Sequence, residues 1–220
     1  MGSTRLPGKV LLRIEGESIL ERAVKRLREA SSPEDVVILT TTLEEDEPIV
    51  SEAERLRAPV FRGPSLDVLK RFQLAAEHFR PEIVVRATAD NPLVDISSVD
   101  RIVRALRGSD LEYCMEIDLP YGAATEAIGV RALERSDKLA KQGRHREHVT
   151  LFAKENPDEF RLAYLTPPDA LRRPEIRLTV DTPEDFMFME DLIRLVPENG
   201  RPLPLERYLD AAADLARTRC

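Results

Sequence analysis

The stretch Glu82-Ile-Val-Val-Arg-Ala-Thr-Ala-Asp-Asn-Pro-Leu-Val-Asp95 decides how the rest of the chain is read. Residues 82–87 form a short β-branched run of the kind buried on both faces of a parallel sheet. The run stops at Asp90-Asn-Pro, a strong turn former, so a strand delivers a carboxylate to its own carboxyl end. A helix is expected from about 97 to 106, with Asp95 placed to cap it. In open α/β sheets ligands sit at that edge of the strands.

Upstream, apolar runs at 35–40 and 58–62 alternate with helical periodicity at 18–27, 48–56 and 65–78. In the first helix Ile19, Leu20, Val24 and Leu27 share a face, and Ser18 with Glu21 has the spacing of a capping box. In the third, Leu66, Leu69, Phe72 and Ala76 form the apolar stripe. Downstream, strands are expected at 112–115, 127–130, 160–165 and 176–180, and helices at 131–139, 144–154, 182–195 and 205–216. A Pro-containing linker covers 197–204. The alternation predicts an α/β fold with a mostly parallel, Rossmann-like sheet covered on both sides. One domain over 1–220, with a small inserted lobe at about 110–175, accounts for the less regular second half.

Composition narrows the function classes. A net charge of −7 argues against a nucleic-acid surface, which carries a basic excess, yet allows a local basic pocket. Two distant cysteines, Cys114 and Cys220, suggest neither a disulfide framework nor a zinc site, and point to a reducing, cytoplasmic setting. No apolar run has the ~20 residues that span a bilayer. Absent Trp and 5% aromatic content argue against stacking on single strands.

Four constellations carry possible chemistry. In Gly2-Ser-Thr-Arg-Leu-Pro-Gly-Lys9, small residues (Gly2, Ser3, Thr4, Gly8) allow close backbone approach to phosphate, and Arg5 and Lys9 add positive charge. Val10 follows Lys9 where a P-loop requires Ser or Thr, so this is a phosphate loop of another kind or a basic tail. Asp90 is either a ligand for a hard cation or a turn residue. Asp181, in Val180-Asp-Thr-Pro-Glu-Asp185, is either a second ligand or an acid favoured by the helix that Thr182 caps, with Pro183 in the first turn and Asp185 as acidic partner. Arg144-His-Arg-Glu-His148 lacks the further ligands of a zinc site and reads as a surface or substrate-facing basic patch. His78 reads as a helix C-terminal dipole partner.

Taken in order, these segments resemble the cytidylyltransferases of spore-coat polysaccharide synthesis, relatives of the CMP-sialate and CMP-KDO synthetases. Residues 1–11 resemble the opening nucleotide motif. Phe61-Arg-Gly with Asp67-Val-Leu-Lys-Arg71, then 86–95, Arg146-Glu-His-Val-Thr150 and 177–185, resemble the following blocks. The resemblance implies a nucleotide-diphosphosugar transferase fold, with CTP as donor and a sugar or sugar-acid acceptor. It assigns Arg5 and Lys9 to the triphosphate, Gly2, Ser3, Thr4, Gly8, Arg62 and Arg86 to nucleotide binding, and Asp90 and Asp181 to Mg²⁺. A homodimer is allowed. Rival readings are a glycosyltransferase using a preformed nucleotide sugar and a non-catalytic nucleotide- or partner-binding relative.

Three departures bear on this. Ala89 stands where Gly is usual. Leu119-Pro-Tyr-Gly-Ala-Ala-Thr-Glu-Ala127 keeps Pro120, Gly122 and Glu126 of a Pro-Arg-Gly-Leu-Asp-Val-Glu pattern but changes the rest. The family's apolar strand ending in Gln-Ala-Arg is absent ahead of Met1. The expectation is that this first strand is encoded upstream, or that residues 10–14 or a partner chain fill its place.

Overall fold

A computed structural model describes residues 5–198 and 200–218. After a short 3₁₀ turn, Lys9–Leu11, the strands β1 (Arg13–Ile14) and β2 (Glu17–Ser18) make a small antiparallel hairpin. Residues 10–14 are thus divided between that turn and that hairpin, and do not supply a central strand.

Helix α1 (Ile19–Glu29) begins where Ser18 accepts a hydrogen bond from the Glu21 amide at 2.9 Å, one half of the expected capping box and worth about 1 kcal/mol, while the Glu21 carboxylate pairs with Lys25 and Arg55 instead. Then come β3 (Ile38–Thr41), α2 (Glu47–Arg55), β4 (Val60–Gly63) and α3 (Val68–Phe79), the latter capped by Asp67. Strand β3 starts later than expected, at Ile38, where its amide bonds the Pro59 carbonyl and the parallel pairing with β4 begins. Strand β5 (Ile83–Arg86) leads through the Asp90 turn into α4 (Ile96–Arg107). Asp95 caps α4, accepting from the amides of Ser97 and Ser98 at 3.2 and 3.1 Å.

The second half supplies β6 (Tyr113–Glu116), β7 (Glu126–Gly129), α5 (Val130–Leu139), α6 (Gly143–Glu147), α7 (Leu151–Glu155) and β8 (Leu162–Leu165). Its last helices are α8 (Pro183–Leu195) and α9 (Glu206–Thr218). Residues 144–154, expected as one helix, form two short ones. The backbone leaves the helical region at His148, where φ is −103° and ψ is 94°.

The strands fall into two larger sheets. One is the parallel pair β3–β4; the other is four-stranded, in the order β5-β7-β6-β8. Strand β7 is antiparallel to both β5 and β6, whereas β8 runs parallel to β6. Among the described residues no ladder joins β3 to β5, and all four residues of β5 are only half-buried. The strand expected ahead of residue 1 lies outside the described residues.

Helices nonetheless tie the two sheets together. Leu20 and Val24 of α1 cluster with Ile38 of β3, while α1 packs against α4. Ile102, Val103 and Leu106 of α4 pack on Cys114 and Ala127 of the larger sheet. On another face, Leu69 and Ala76 of α3 join Tyr113, Ile128 and Leu133. Each such fully buried aliphatic side chain contributes about 1.5–3 kcal/mol. Arg26 of α1 is 1% exposed and donates from Nε to the Val94 carbonyl at 2.8 Å, pinning the segment that follows Asp90.

Candidate active site

Lys9 is where the loop, the β5 edge and the late segment 176–181 meet. Gly8 precedes it at φ 68°, a left-handed conformation suited to glycine, and starts the 3₁₀ turn that carries Lys9. The Lys9 Nζ donates to Asp90 Oδ2 at 2.6 Å and to Asp181 Oδ1 at 2.8 Å. Residues 81 and 172 positions apart in sequence from Lys9 therefore share one ammonium. Burial alone would lower the Lys9 pKa; hydrogen bonds with Asp181 and Asp90 outweigh it and hold the group above its ordinary value. Chiefly through Lys9, Asp181 is held below the ordinary carboxylate range.

Backbone geometry explains why the two aspartates converge. The Val180 amide donates to the Asp90 carbonyl at 2.9 Å, so the segments that carry the carboxylates are bonded to each other. Segment 176–180, expected as a strand, holds among the described residues a single parallel bridge, Tyr121 with Arg177. Its neighbour there is the loop at 120–123, which offers one residue of pairing: the Tyr121 amide donates to Ile176 O and its carbonyl accepts from the Leu178 amide. Gly122 sits at φ 97°, and a Cβ there would lie 2.9 Å from the Leu178 carbonyl carbon and the Thr179 nitrogen. Thr182 and Asp185 form a complete capping box at the start of α8, as the sequence signals.

Arg5 also reaches Asp181, at 3.4 Å, although its side chain is largely exposed. Gly2, Ser3 and Thr4 lie outside the described residues. Arg62 stands apart from the Lys9 cluster: it donates to the carbonyls of Thr41 and Leu43 and pairs with Glu47 at 2.5 Å. Arg86 is committed to Glu126 at 2.7 Å.

Two residues that lie in the family-like segments were given no role from sequence. Arg177 donates to Asp181 Oδ2 at 2.6 Å and to Asp185 Oδ1 at 2.9 Å, and lies 5.0 Å from the Tyr121 ring centroid. Its signal was the extended alternation Arg177, Thr179, Asp181, which puts the three on one side of the chain. Glu126 is the other. Buried on β7, it accepts from Tyr113, Thr150 and Lys154 on one oxygen and from Arg86 on the other. Burial would raise its pKa, but Arg86, Lys154 and Tyr113 bring it down to about 2. No local motif announces such a hub, because its partners come from β5, β6 and α7 with its N-cap residue.

The Arg144–His148 patch divides in two. His145 is buried against Phe152 and bonded to Glu155 at 2.8 Å, whereas His148 is exposed. The reading of this segment as a surface or substrate-facing basic patch therefore fails for His145, which is buried. Arg146 clamps Asp67 and Asp137, linking α6 to the start of α3 and to α5.

The donor set suits a hard divalent cation. Asp90 Oδ2 and Asp181 Oδ1 both touch one ammonium, so they are close enough for small rotations to place them on one ion. Among the described residues no group of three or more His, Cys, Asp and Glu gathers into an all-protein site. Two carboxylates leave most of an octahedral shell for phosphates and water, the usual arrangement for Mg²⁺. Among the described residues no helix is long and apolar enough to cross a membrane.

Comparison with known proteins gives the family. The chain is 39% identical over 191 residues to an uncharacterized protein of Methanocaldococcus jannaschii, covering 87% of this chain and 79% of the relative. It is 32% identical over 203 residues to the spore coat polysaccharide biosynthesis protein SpsF of Bacillus subtilis, covering 90% of this chain and 85% of that protein. A solved cytidylyltransferase from Leptospira borgpetersenii superposes with a TM-score of 0.85 at 28% identity, over 100% of this chain and 91% of that one. Residues 1–216 match the cytidylyltransferase family as a whole. With Lys9 bonded to both Asp90 and Asp181, the chain belongs to the cytidylyltransferase family and is a nucleotidyltransferase.

Proposed function

We propose that this protein transfers CMP from CTP to a sugar or sugar-acid acceptor, with release of pyrophosphate, in the making of a surface polysaccharide. The observation that carries the reading is Lys9 held between Asp90 and Asp181, with Arg5 alongside. The similarity to SpsF supports the polysaccharide context.

In the reaction an acceptor oxygen attacks the α-phosphorus of CTP. The bond from that phosphorus to the bridging oxygen of pyrophosphate breaks as the new ester bond forms, and a hydroxyl acceptor gives up its proton. Such transfers are catalysed mainly by positioning and charge neutralisation. Asp90 and Asp181 would hold Mg²⁺, which, when bound, screens the phosphate oxygens and steadies the charge of the departing pyrophosphate. Two carboxylates about 4 Å apart repel by ~4 kcal/mol at an effective dielectric of 20, so they require a cation between them. Lys9 and Arg5 would meet the β- and γ-phosphates. Arg177 fixes the Asp181 carboxylate from the opposite oxygen.

The test is pyrophosphate release from CTP with Mg²⁺ over a panel of sugars, sugar phosphates and sugar acids. Acceptor-dependent release, with a CMP-linked product, is expected. CTP binding without release across the panel would make the protein a non-catalytic relative. Turnover only with a preformed nucleotide sugar would make it a glycosyltransferase.

A further inference from the structure

We propose that Lys9 is the exchangeable counter-ion of the metal carboxylates: it holds Asp90 and Asp181 until a triphosphate arrives, then moves to the phosphates as the divalent cation takes its place. This rests on the CTP and Mg²⁺ reading above and adds an order to it. Metal and nucleotide enter together, and metal alone is kept out.

The argument is one of competition for the same atoms. The ammonium occupies Asp90 Oδ2 and Asp181 Oδ1 at 2.6 and 2.8 Å, the two oxygens best placed to bind an ion jointly. The remaining Asp181 oxygen is taken by Arg177 at 2.6 Å, and Arg5 stands 3.4 Å from Oδ1. A divalent ion therefore enters only by displacing the ammonium or by bearing its repulsion at short range. Nor can the ammonium leave freely. The Lys9 side chain is 12% exposed, and a half-buried cation parted from both carboxylates is costly without a new anion. A triphosphate supplies that anion. The backbone of Lys9 stays fixed, because Gly8 and the 3₁₀ turn set its position, while its four-carbon stem lets the charge swing.

The prediction has opposite signs in two measurements on Lys9→Met. Mn²⁺ binding in the absence of nucleotide, followed by the electron paramagnetic resonance of free Mn²⁺, should tighten at least tenfold over wild type. Binding of Mn²⁺-CTP, measured by calorimetry, should weaken at least tenfold. Lys9→Met/Asp181→Asn should lose the gain in Mn²⁺ affinity, which assigns it to these carboxylates. Unchanged or weaker Mn²⁺ binding by a folded Lys9→Met overturns the proposal; Lys9→Gln gives the same test if Met disturbs folding. If wild-type protein takes up no Mn²⁺ even with CTP, the metal reading itself fails, an outcome separate from failure of the exchange alone.

Discussion

Two clusters of cations and carboxylates in this molecule look alike in composition and differ in use. At the loop, Lys9, Asp90 and Asp181 are joined by single hydrogen bonds, and their side chains keep 12%, 24% and 16% of their exposure. Within the larger sheet, Glu126 is 7% exposed and its carboxylate accepts from Tyr113, Thr150, Lys154 and Arg86. In the first cluster Lys9 holds each aspartate by one bond and all three side chains keep some exposure. The second is buried, with both carboxylate oxygens bonded. Charge that keeps some exposure can exchange partners, and charge in a core holds elements in register.

The sharpest way to break this comparison is to remove Glu126. Glu126→Ala strands Arg86 and Lys154 and leaves the buried Tyr113 and Thr150 hydroxyls without their acceptor. A stability loss of about 3–5 kcal/mol is expected in urea melts, with little change in turnover per folded molecule. A soluble, stable variant that has lost activity would move Glu126 into the site.

Asp90→Asn and Asp181→Asn should do the reverse. Each should lower pyrophosphate release by roughly 100-fold or more, about 2.7 kcal/mol of barrier, with the melting transition nearly unchanged. Near-normal turnover at saturating Mg²⁺ in either variant would reduce that aspartate to a turn or cap residue.

Acid sharpens the contrast further. The Glu126 pKa is lowered to about 2 from the ordinary 4.5, so its stabilisation is present above pH 4.5 and lost as the pH falls towards 2. Glu52, bonded to Arg55 and Ser18, is also lowered to about 2 and adds in the same window. The stability gap between wild type and Glu126→Ala, measured at several pH values, should shrink by on the order of 2 kcal/mol between pH 4.5 and 2. A gap independent of pH would mean that the carboxylate charge is not what holds the cluster.

The smallest effect is expected at Arg177. Arg177→Lys keeps a charge near Asp181 but cannot also fork to Asp185. About tenfold lower activity is expected, ~1.4 kcal/mol, appearing mainly as a higher Mg²⁺ requirement. A fall in kcat with no change in Mg²⁺ dependence would place Arg177 on substrate instead.

How much of this was legible in the sequence follows from the range of the forces involved. Caps and helices are local, so Ser18, Asp95, Thr182 and Asp185 could be read directly from spacing. Asp90 and Asp181 stood out for the same reason, each lying where an apolar run stops, although the second run forms no strand. That Lys9 joins them was not, since it depends on the bond from the Val180 amide to Asp90. The Glu126 hub was hidden in the same way. Its partners lie at 86, 113, 150 and 154; only 150 and 154 have helical spacing, and nothing local links them to 86, 113 or 126. Residues 144–154 misled because their helical composition continues through His148, where the backbone does not.

Gly122 carries a consequence for inheritance. Its left-handed φ and its contact with the backbone of Leu178 and Thr179 leave no room for a Cβ. Glycine codons begin with GG, and any missense change at either of those bases introduces a side chain. At this position nearly every amino-acid change within a single nucleotide step therefore pushes on the segment that ends in Asp181. In a saturation library selected for activity, position 122 should tolerate synonymous codons and almost nothing else, although its own side chain touches no substrate because it has none.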